Sequence, residues 1–297
     1  MKKYIAGLLI LVAVVSSAYF LCRELTQAFL VWQIHTAIEQ KGSDLHKFYT
    51  NSGHTTKDAY IAHGGGIKEY TYTNSREAVL DSLQKGFIFI EIDILETREP
   101  DGKNRLVGAH DWKHFKALLA LQGDGEERKK EKALSIKDIA GRKIRQTQTP
   151  LVDNDIARIM QDNPQMILVT DKIGDHDLLL EKIPFPDRMI VEVFSPSAWL
   201  EAVQAGVRYP AFCIWNPKNL EQARRFRFPI VTMAASSFFR EPALVSQIQS
   251  LHEAGVTILL FLAGFPEGDS PEFIRRHLGK TVSKIYTDNW SPLHMPQ

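Results

Sequence analysis

From Tyr60 to the C-terminus, short runs rich in β-branched and aromatic residues alternate with longer segments of helical character. This alternation is typical of parallel β/α proteins, in which a helix carries the chain from the end of one strand to the start of the next. It predicts strands at residues 59–63, 87–94, 105–110, 166–171, 188–194, 210–215, 229–234, 256–262 and 284–287. It predicts helices at residues 75–85, 112–121, 152–162, 176–182, 196–205, 217–226, 241–254 and 270–279.

Capping residues support several of these helix boundaries. Ser75, Ser195 and Ser270 each stand just before a helical segment, where a hydroxyl can accept hydrogen bonds from free backbone N–H groups. Gly206 and Gly255 follow helical segments, where a left-handed cap favours glycine. The alternation and the caps together favour a TIM-like (β/α)8 barrel over an open parallel sheet.

The strand count is one too high for such a barrel, because nine candidate strands are present. The link at residues 95–104 is also too short to contain a helix. We therefore expect either 87–94 or 105–110 to form part of a hairpin. No Gly-x-Gly-x-x-Gly turn follows the first strand, which argues against a dinucleotide-binding fold.

The N-terminus predicts membrane targeting. Lys2 and Lys3 precede an uncharged run at residues 4–22, which Arg23 ends. Such a run of about 19 residues just crosses a hydrocarbon core of about 30 Å, although small residues at 16–18 also permit cleavage as a signal peptide. We predict an anchor or signal segment at 1–23, a juxtamembrane helical segment at 24–57 and a barrel domain at 58–297. The positive-inside rule places the barrel outside the cytoplasm, and cleavage would make it secreted.

The charge balance excludes some classes of partner. The chain has 36 basic and 35 acidic residues, so no global field recruits nucleic acid. Cys22 and Cys213 cannot form a disulfide framework. A mixed-charge run at 126–132 predicts either a solvated surface loop or a lid over the site. No pattern indicates an oligomeric state.

Ionisable residues collect at the predicted strand ends. In a parallel barrel the loops after the strands form one rim, and that rim carries the active site. Like charges gathered there are costly unless cations or hydrogen-bond partners compensate them. The residues at or near these ends are His63, Glu91, Asp93, His110, Asp171, Glu192 and Asp288.

Glu91 and Asp93 predict a metal site. They are separated by one residue, so both side chains point to the same face of a strand. Two carboxylates in one space repel each other unless a cation lies between them, and oxygen ligands favour Mg²⁺ or Ca²⁺. We expect Asp171 as the third ligand, with Glu192 as the alternative. The competing explanation is a salt bridge in the barrel lining between one of the pair and Lys172 or Arg105.

Two histidines match a proton-transfer role. His63 and His110 can supply one base and one acid near neutral pH. Lys172, at the end of a strand, is expected to bind a phosphate oxygen as a point charge. Asp111 is expected either to orient an imidazole or to cap the helix that begins at Trp112.

Taken in order, these motifs resemble the glycerophosphodiester phosphodiesterase family, which belongs with the phosphatidylinositol phospholipase C-like phosphodiesterases. The resemblance covers roughly residues 59 to 290, and it implies a TIM barrel in which His63 and His110 form the acid/base pair. It also implies that Glu91 and Asp93 bind a divalent cation and that Asn74 contacts the substrate. The matching elements are His63-Gly64-Gly65, Thr73-Asn74-Ser75, Glu91-Ile92-Asp93, Asp101-Gly102, Val107-Gly108-Ala109-His110-Asp111 and Ile285-Tyr286-Thr287-Asp288.

The chain departs from the family pattern in three places. Gly64 stands where the family has an arginine, so one phosphate-binding cation is missing and Lys172 would have to compensate. Thr170-Asp171-Lys172 replaces a Glu-x-Lys motif. The segment at 97–102 is slightly longer than the family pattern.

The sequence therefore predicts a membrane-anchored, extracytoplasmic phosphoric diester hydrolase that uses Mg²⁺ or Ca²⁺ and acts on glycerophosphodiesters or phospholipid headgroups. A catalytically weak barrel that binds a phosphorylated ligand or a partner protein is the main rival. Gly64 supports that rival, and the presence of both His63 and His110 argues against it. A metal-dependent amidohydrolase is a weaker rival, because Ala62-His63-Gly64 lacks a His-x-His motif.

Overall fold

The structure, a computed structural model, describes residues 2–41, 60–121, 132–235, 242–261 and 281–292. Three sequence predictions fall outside these ranges. They are the helix at 270–279, the end of the juxtamembrane segment at 42–57 and nearly all of the mixed-charge run at 126–132.

Eight parallel strands of the described residues close into a barrel. The strands are β1 (Tyr60–Ala62), β2 (Phe89–Glu96), β3 (Leu106–Gly108), β4 (Ile167–Asp171), β5 (Met189–Val193), β6 (Tyr209–Ile214), β7 (Ile230–Ala234), β8 (Thr257–Phe261) and β9 (Lys284–Thr287). Around the barrel, the order is β1, β2, β4, β5, β6, β7, β8 and β9, and β9 pairs with β1. The predicted TIM-like barrel is therefore confirmed.

The strand β3 lies outside the barrel and forms the expected hairpin. It pairs antiparallel with the far end of β2, from Ile94↔Gly108 to Glu96↔Leu106. Earlier residues of β2 pair with β1 and β4 inside the barrel. The buried carboxylate of Asp153 holds the start of β3, because it accepts a hydrogen bond of 2.7 Å from Arg105 Nε and one of 3.1 Å from the Leu106 N–H.

The seven predicted helices that the structure describes are found to within a few residues, whereas the short helix Ile136–Ile139 has no counterpart in the predicted pattern. Ser75 caps the helix that begins at Arg76 by accepting a hydrogen bond from the Ala78 N–H. Ser195 caps the helix that begins at Pro196 in the same way, through the Ala198 N–H, and Gly206 ends that helix with a φ of +103°. The helices are α1 (Lys2–Lys41), α2 (Arg76–Gln84), α3 (Trp112–Leu118), α4 (Ile136–Ile139), α5 (Asp153–Asp162), α6 (His176–Lys182), α7 (Pro196–Ala205), α8 (Pro217–Phe226) and α9 (Pro242–Glu253).

Alternation along the strands divides the core into two parts. On β5, Val191 belongs to the larger apolar cluster between the barrel and the helices, whereas Ile190 belongs to the cluster that fills the barrel. Glu192 has the same parity as Ile190, so its side chain points into the barrel. The predicted site residues thus cap the apolar filling of the barrel at the carboxyl ends of the strands.

The helix α1 packs on the barrel with its C-terminal part. Ile34 is fully buried in the core, and Lys41 Nζ donates hydrogen bonds to the carbonyls of Val207 and Arg208 just before β6. Within the described residues, no helix has a segment both long enough and apolar enough to cross a bilayer. The membrane anchor and the domain boundaries stay predictions.

Candidate active site

Three carboxylates meet at the carboxyl ends of two neighbouring strands. Glu91 and Asp93 lie on β2, and Asp171 ends β4 directly opposite Asp93 in the parallel ladder. All three residues are buried, and one oxygen from each lies within 4.8 Å of the others. The cluster therefore offers three hard oxygen ligands of the kind that Mg²⁺ and Ca²⁺ prefer.

The electrostatics of this cluster fit a bound cation. Burial, together with the charges of Asp93 and Asp171, raises the pKa of Glu91 well above its ordinary value. Burial and the charge of Asp93 likewise raise the pKa of Asp171 to about 7. Asp171 Oδ1 is buried and has no hydrogen-bond partner among the residues that the structure describes. A divalent cation would neutralise these charges and give that oxygen a partner.

Glu192 lies deeper in the barrel and has a different partner. The hydroxyl of Tyr286 donates a hydrogen bond to Glu192 Oε1. Burial and the charge of Asp171 raise the pKa of Glu192 to about 8. The structure thus groups Asp171 with Glu91 and Asp93, and leaves Glu192 hydrogen-bonded to a phenol beside them.

Lys172 contacts the same carboxylates. Its Nζ lies 3.0 Å from Asp171 Oδ2 and 4.0 Å from Asp93 Oδ1, and its backbone is left-handed with a φ of +64°. Burial opposes the charged amine, but the charge and hydrogen bond of Asp171, together with the charges of Asp93 and Glu91, outweigh it and raise the pKa of Lys172. One ammonium group beside three carboxylates leaves an excess of negative charge if all three are ionised.

Backbone and amide groups hold the two β2 carboxylates. The Gly64 N–H donates a hydrogen bond of 2.6 Å to Glu91 Oε2. Asn74 is fully buried, its Nδ2 donates to Asp93 Oδ2 at 2.9 Å, and its Oδ1 accepts from the Asp93 N–H at 3.0 Å. Asn74 is therefore placed to position Asp93, and its contact with substrate stays a prediction.

The backbone at Gly64 explains why no arginine side chain stands there. Gly64 has a φ of +56°, and a Cβ atom at this position would lie 2.7 Å from Tyr72 Cα. That distance is far below an ordinary contact between carbon atoms. Any side chain at position 64 would require the loop around Tyr72 to move.

The two histidines form similar pairs with aspartates but differ in exposure. His63 Nδ1 lies 3.1 Å from Asp288 Oδ1, and His110 Nδ1 lies 2.9 Å from Asp111 Oδ2. The side chain of His63 is 16% exposed and that of His110 is 43% exposed. The Tyr72 ring packs against both imidazoles, with centroid distances of 4.5 Å and 6.1 Å.

Asp111 has both of the roles that the sequence left open. While its Oδ2 contacts His110 Nδ1, its Oδ1 accepts a hydrogen bond of 2.7 Å from the His114 N–H and so caps α3. These bonds outweigh the opposing effect of burial and lower the pKa of Asp111. Asp111 thus fixes His110 relative to the helix that follows it.

Sequence reasoning missed several residues around His110. A cavity of about 650 Å³ lies beside this histidine, and it includes Lys68, Tyr72 and Arg145. The sequence could have indicated Tyr72, because this residue directly precedes the motif Thr73-Asn74-Ser75. No local sequence pattern indicates that Lys68 or Arg145 belongs to the site, since the two residues lie on separate loops. The full lining is Lys68, Thr71, Tyr72, His110, Asp111, His114 and Arg145.

Comparison with solved structures finds similar barrels in glycerophosphodiester phosphodiesterases. A protein of Galdieria sulphuraria provisionally assigned to that activity matches with a TM-score of 0.61 and 16% identity, covering 78% of this chain and 94% of that one. A glycerophosphoryl diester phosphodiesterase from Parabacteroides distasonis matches with a TM-score of 0.58 and 15% identity, covering 82% and 87%. A glycerophosphodiester phosphodiesterase from Agrobacterium tumefaciens matches with a TM-score of 0.53 and 16% identity, covering 80% and 98%.

These similarities establish the fold. The chain has the barrel of the glycerophosphodiester phosphodiesterase structures, over most of its length and most of theirs. They also agree with the barrel fold that the resemblance of the sequence motifs implies. No protein-family model matches the chain, and no curated protein sequence matches it significantly.

Proposed function

We propose that this chain is a phosphoric diester hydrolase of the glycerophosphodiester phosphodiesterase type and that it depends on a divalent cation. The observation that carries the proposal is the position of Glu91, Asp93 and Asp171, whose oxygens lie within 4.8 Å of one another in a buried site. The same rim carries His63 and His110, each held by an aspartate. The shared fold of the solved phosphodiesterases supports this assignment.

Glu91, Asp93 and Asp171 would hold the cation, which would be Mg²⁺ or Ca²⁺. Such an ion stabilises negative charge on phosphoryl oxygens. Gly64 and Asn74 keep the ligands Glu91 and Asp93 in place through the hydrogen bonds described above.

His63 and His110 would move the protons. In each imidazole Nδ1 faces a carboxylate, so Nε2 is the nitrogen left for the substrate. One histidine accepts the proton of the attacking hydroxyl group, which belongs either to the substrate itself or to a water molecule. The other gives a proton to the oxygen of the leaving alcohol as the P–O bond breaks.

Lys172 would bind a phosphoryl oxygen. Its Nζ lies beside Asp171 and Asp93, at the edge of the acidic cluster where a phosphate would sit. A lysine ammonium serves as a point charge for phosphate in such sites. It would supply the cationic contact that no side chain at Gly64 can make.

Hydrolysis of bis(p-nitrophenyl) phosphate and of glycerophosphodiesters tests the proposal. EDTA should abolish turnover, and Mg²⁺ or Ca²⁺ should restore it. Glu91→Gln should lower kcat by at least about 100-fold, because it removes one charged ligand. Glu96→Gln, further along the same strand and outside the cluster, should stay close to wild type. Turnover that persists in EDTA, or full activity of Glu91→Gln, would refute the metal assignment.

The geometry at Gly64 also favours a second candidate, a barrel that binds a phosphorylated ligand or partner with weak catalysis. The contact with Tyr72 excludes an arginine side chain there. This candidate predicts cation-dependent binding of a phosphodiester without turnover. The two aligned His–Asp pairs favour hydrolysis over binding alone.

Membrane attachment through residues 1–23 and an extracytoplasmic barrel are further proposals that rest on the sequence. Fractionation of cells that express the full chain, followed by protease treatment of intact cells, tests both. Recovery in the soluble cytoplasmic fraction would refute them.

A further inference from the structure

We propose that the cavity beside His110 binds an anionic group, a carboxylate or a second phosphate, on an alcohol of the phosphodiester substrate. The cavity has a volume of about 650 Å³, and its lining includes two permanent cations, Lys68 and Arg145. This inference rests on the proposed function, because it names the class of substrate for the same site.

Neither cation is neutralised by a neighbouring acid. Among the described residues, Lys68 and Arg145 form no ion pair with a carboxylate. One guanidinium nitrogen of Arg145 donates a hydrogen bond of 2.8 Å to the carbonyl of Glu69, and its other donors have no acceptor in the described part of the chain. An arginine with free donors beside a cavity suits an oxyanion such as a carboxylate or a phosphate, which can accept two parallel N–H···O hydrogen bonds.

The acid in the lining does not cancel this positive charge. Asp111 already accepts hydrogen bonds from His110 Nδ1 and from the His114 N–H, at 2.9 Å and 2.7 Å. His110 and His114 also line the cavity, and neither adds negative charge. Lys68 and Arg145 outnumber Asp111, so the lining of the cavity is basic on balance.

Both cations stand on unusual backbone that the surrounding structure maintains. Lys68 has a φ of +56° and Arg145 a φ of +48°. A left-handed conformation is unfavourable for a residue with a side chain. The Lys68 N–H donates to the carbonyl of Asp288 at 2.7 Å, and the Arg145 N–H donates to that of Leu118 at 2.9 Å. Strain of this kind concentrates at ligand sites.

The position of the cavity connects the anion to the reaction. Tyr72 and His110 line the cavity, and Tyr72 also packs on His63. A group bound there would lie beside the proposed proton-transfer pair, on an alcohol attached to the reacting phosphorus. The structure thus favours diesters such as glycerophosphoserine or a phosphorylated glycerophosphoinositol over glycerophosphocholine.

Two substrates that differ by one carboxylate test this inference. Glycerophosphoserine carries the carboxylate that glycerophosphoethanolamine lacks, so the ratio of their kcat/KM values reports on recognition of the anion. We expect the wild-type enzyme to prefer the serine diester by about tenfold or more, mainly through KM. Lys68→Met and Arg145→Met should each reduce the ratio at least about threefold.

Lys218→Met provides a matched control. Lys218 is exposed at the start of α8, on the β6 side of the rim, so its loss should leave the ratio unchanged. Turnover of bis(p-nitrophenyl) phosphate shows that each variant is folded. A wild-type ratio near one, or equal losses on both substrates in the variants, would overturn the inference while leaving the proposed hydrolase intact.

If no diester is turned over, calorimetric binding of the same two compounds decides the inference separately. Tighter binding of glycerophosphoserine that is lost in Lys68→Met and Arg145→Met would support an anion-binding cavity in a barrel that is not a hydrolase. Equal binding of the two compounds would refute the cavity assignment as well.

Discussion

The carboxylates on the barrel strands and the groups on the loops above them are held in place by different interactions. Asp93 and Asp171 are direct partners in the ladder between β2 and β4, so the barrel backbone sets their separation. His63, Tyr72 and His110 lie beyond the strand ends. Their positions depend on side-chain hydrogen bonds and on close contacts within loops.

Because of this difference, mutations on the strands and mutations on the loops should have different consequences. Replacing a strand carboxylate should affect metal binding and chemistry while the fold survives, because the ladder does not need the side chain. Replacing a residue of the loops should also disturb the structure of the site, since each loop contact supports a neighbour. The predictions below test this separation, from the largest expected effect to the smallest.

The strongest test compares Asp171→Asn with Glu192→Gln. If Asp171 is the third ligand, Asp171→Asn should lower kcat by about 1,000-fold and weaken cation affinity. Glu192→Gln should cost about tenfold or less, because Glu192 is hydrogen-bonded to Tyr286 outside the cluster. Steady-state kinetics over a cation titration measure both effects. The opposite order would make Glu192 the third ligand.

The two histidines should be distinguishable by chemical rescue. His63→Ala and His110→Ala should each lower kcat by about 10²–10⁴-fold without changing cation affinity. Added imidazole should rescue His110→Ala more effectively, since the His110 side chain is 43% exposed and that of His63 is 16% exposed. His252→Ala, in the last turn of α9, is the control. Undiminished kcat in either histidine variant would remove that residue from the proton-transfer pair.

Gly64 tests the loops for their effect on stability. Gly64→Ala should lower the free energy of unfolding by about 2–4 kcal/mol, because it adds a clash with Tyr72 to the strain of a left-handed residue. Gly102→Ala is a matched control, because Gly102 has a φ of +74° and a Cβ atom there would lie more than 4 Å from every described neighbour. It should cost only about 1 kcal/mol. Equal losses in denaturant unfolding would show that the contact at Gly64 is easily relieved.

The acidic cluster should make the metal-free protein less stable as pH rises. Asp171 and Glu192 have ordinary pKa values of 3.8 and 4.5, and burial raises them to about 7 and about 8 in the folded chain. At pH values between the ordinary and the folded-state pKa values, the folded state therefore binds more protons than the unfolded state. Stability is greatest below the ordinary pKa values and is lost as the pH rises through the folded-state pKa values.

Thermal unfolding of the metal-free protein between pH 5 and pH 8 measures this trend. Asp171→Asn should weaken the pH dependence, because it removes one titrating group. Added Mg²⁺ or Ca²⁺ should stabilise the protein most at the high end of the range, where the carboxylates are ionised. A metal-free protein that becomes more stable towards pH 8 would contradict the assigned shifts.

The strand-borne part of the site could be predicted because its geometry follows from periodicity. Glu91 and Asp93 share a face since side chains alternate along a strand, and Asp171 joins them because carboxyl ends of parallel strands form one rim. The hairpin between β2 and β3 could also be predicted, because residues 95–104 cannot contain a helix.

The loop-borne part could not be predicted in the same way. Lys68, Tyr72 and Arg145 adopt left-handed backbone conformations that ordinary residues rarely occupy, so no local pattern indicates them. Arg145 bonds to the carbonyl of Glu69, 76 positions earlier in the chain. The sequence indicates the motif that contains Asn74. The hydrogen bond from the Asn74 side-chain amide to Asp93, however, depends on how the loop folds back on β2.

The hairpin of β2 and β3 is anchored at its base and open at its tip. At the base, the Ala109 N–H donates to the Asp93 carbonyl at 2.8 Å, and a Cβ atom on Gly108 would lie 2.7 Å from the carbonyl oxygen of Asn74. At the tip, a Cβ atom on Gly102 would meet no atom of the described residues within 4 Å. Extra residues can therefore enter the turn without shifting His110 against Asp93, which makes this tip a suitable place to graft a tag or a reporter domain onto a working barrel.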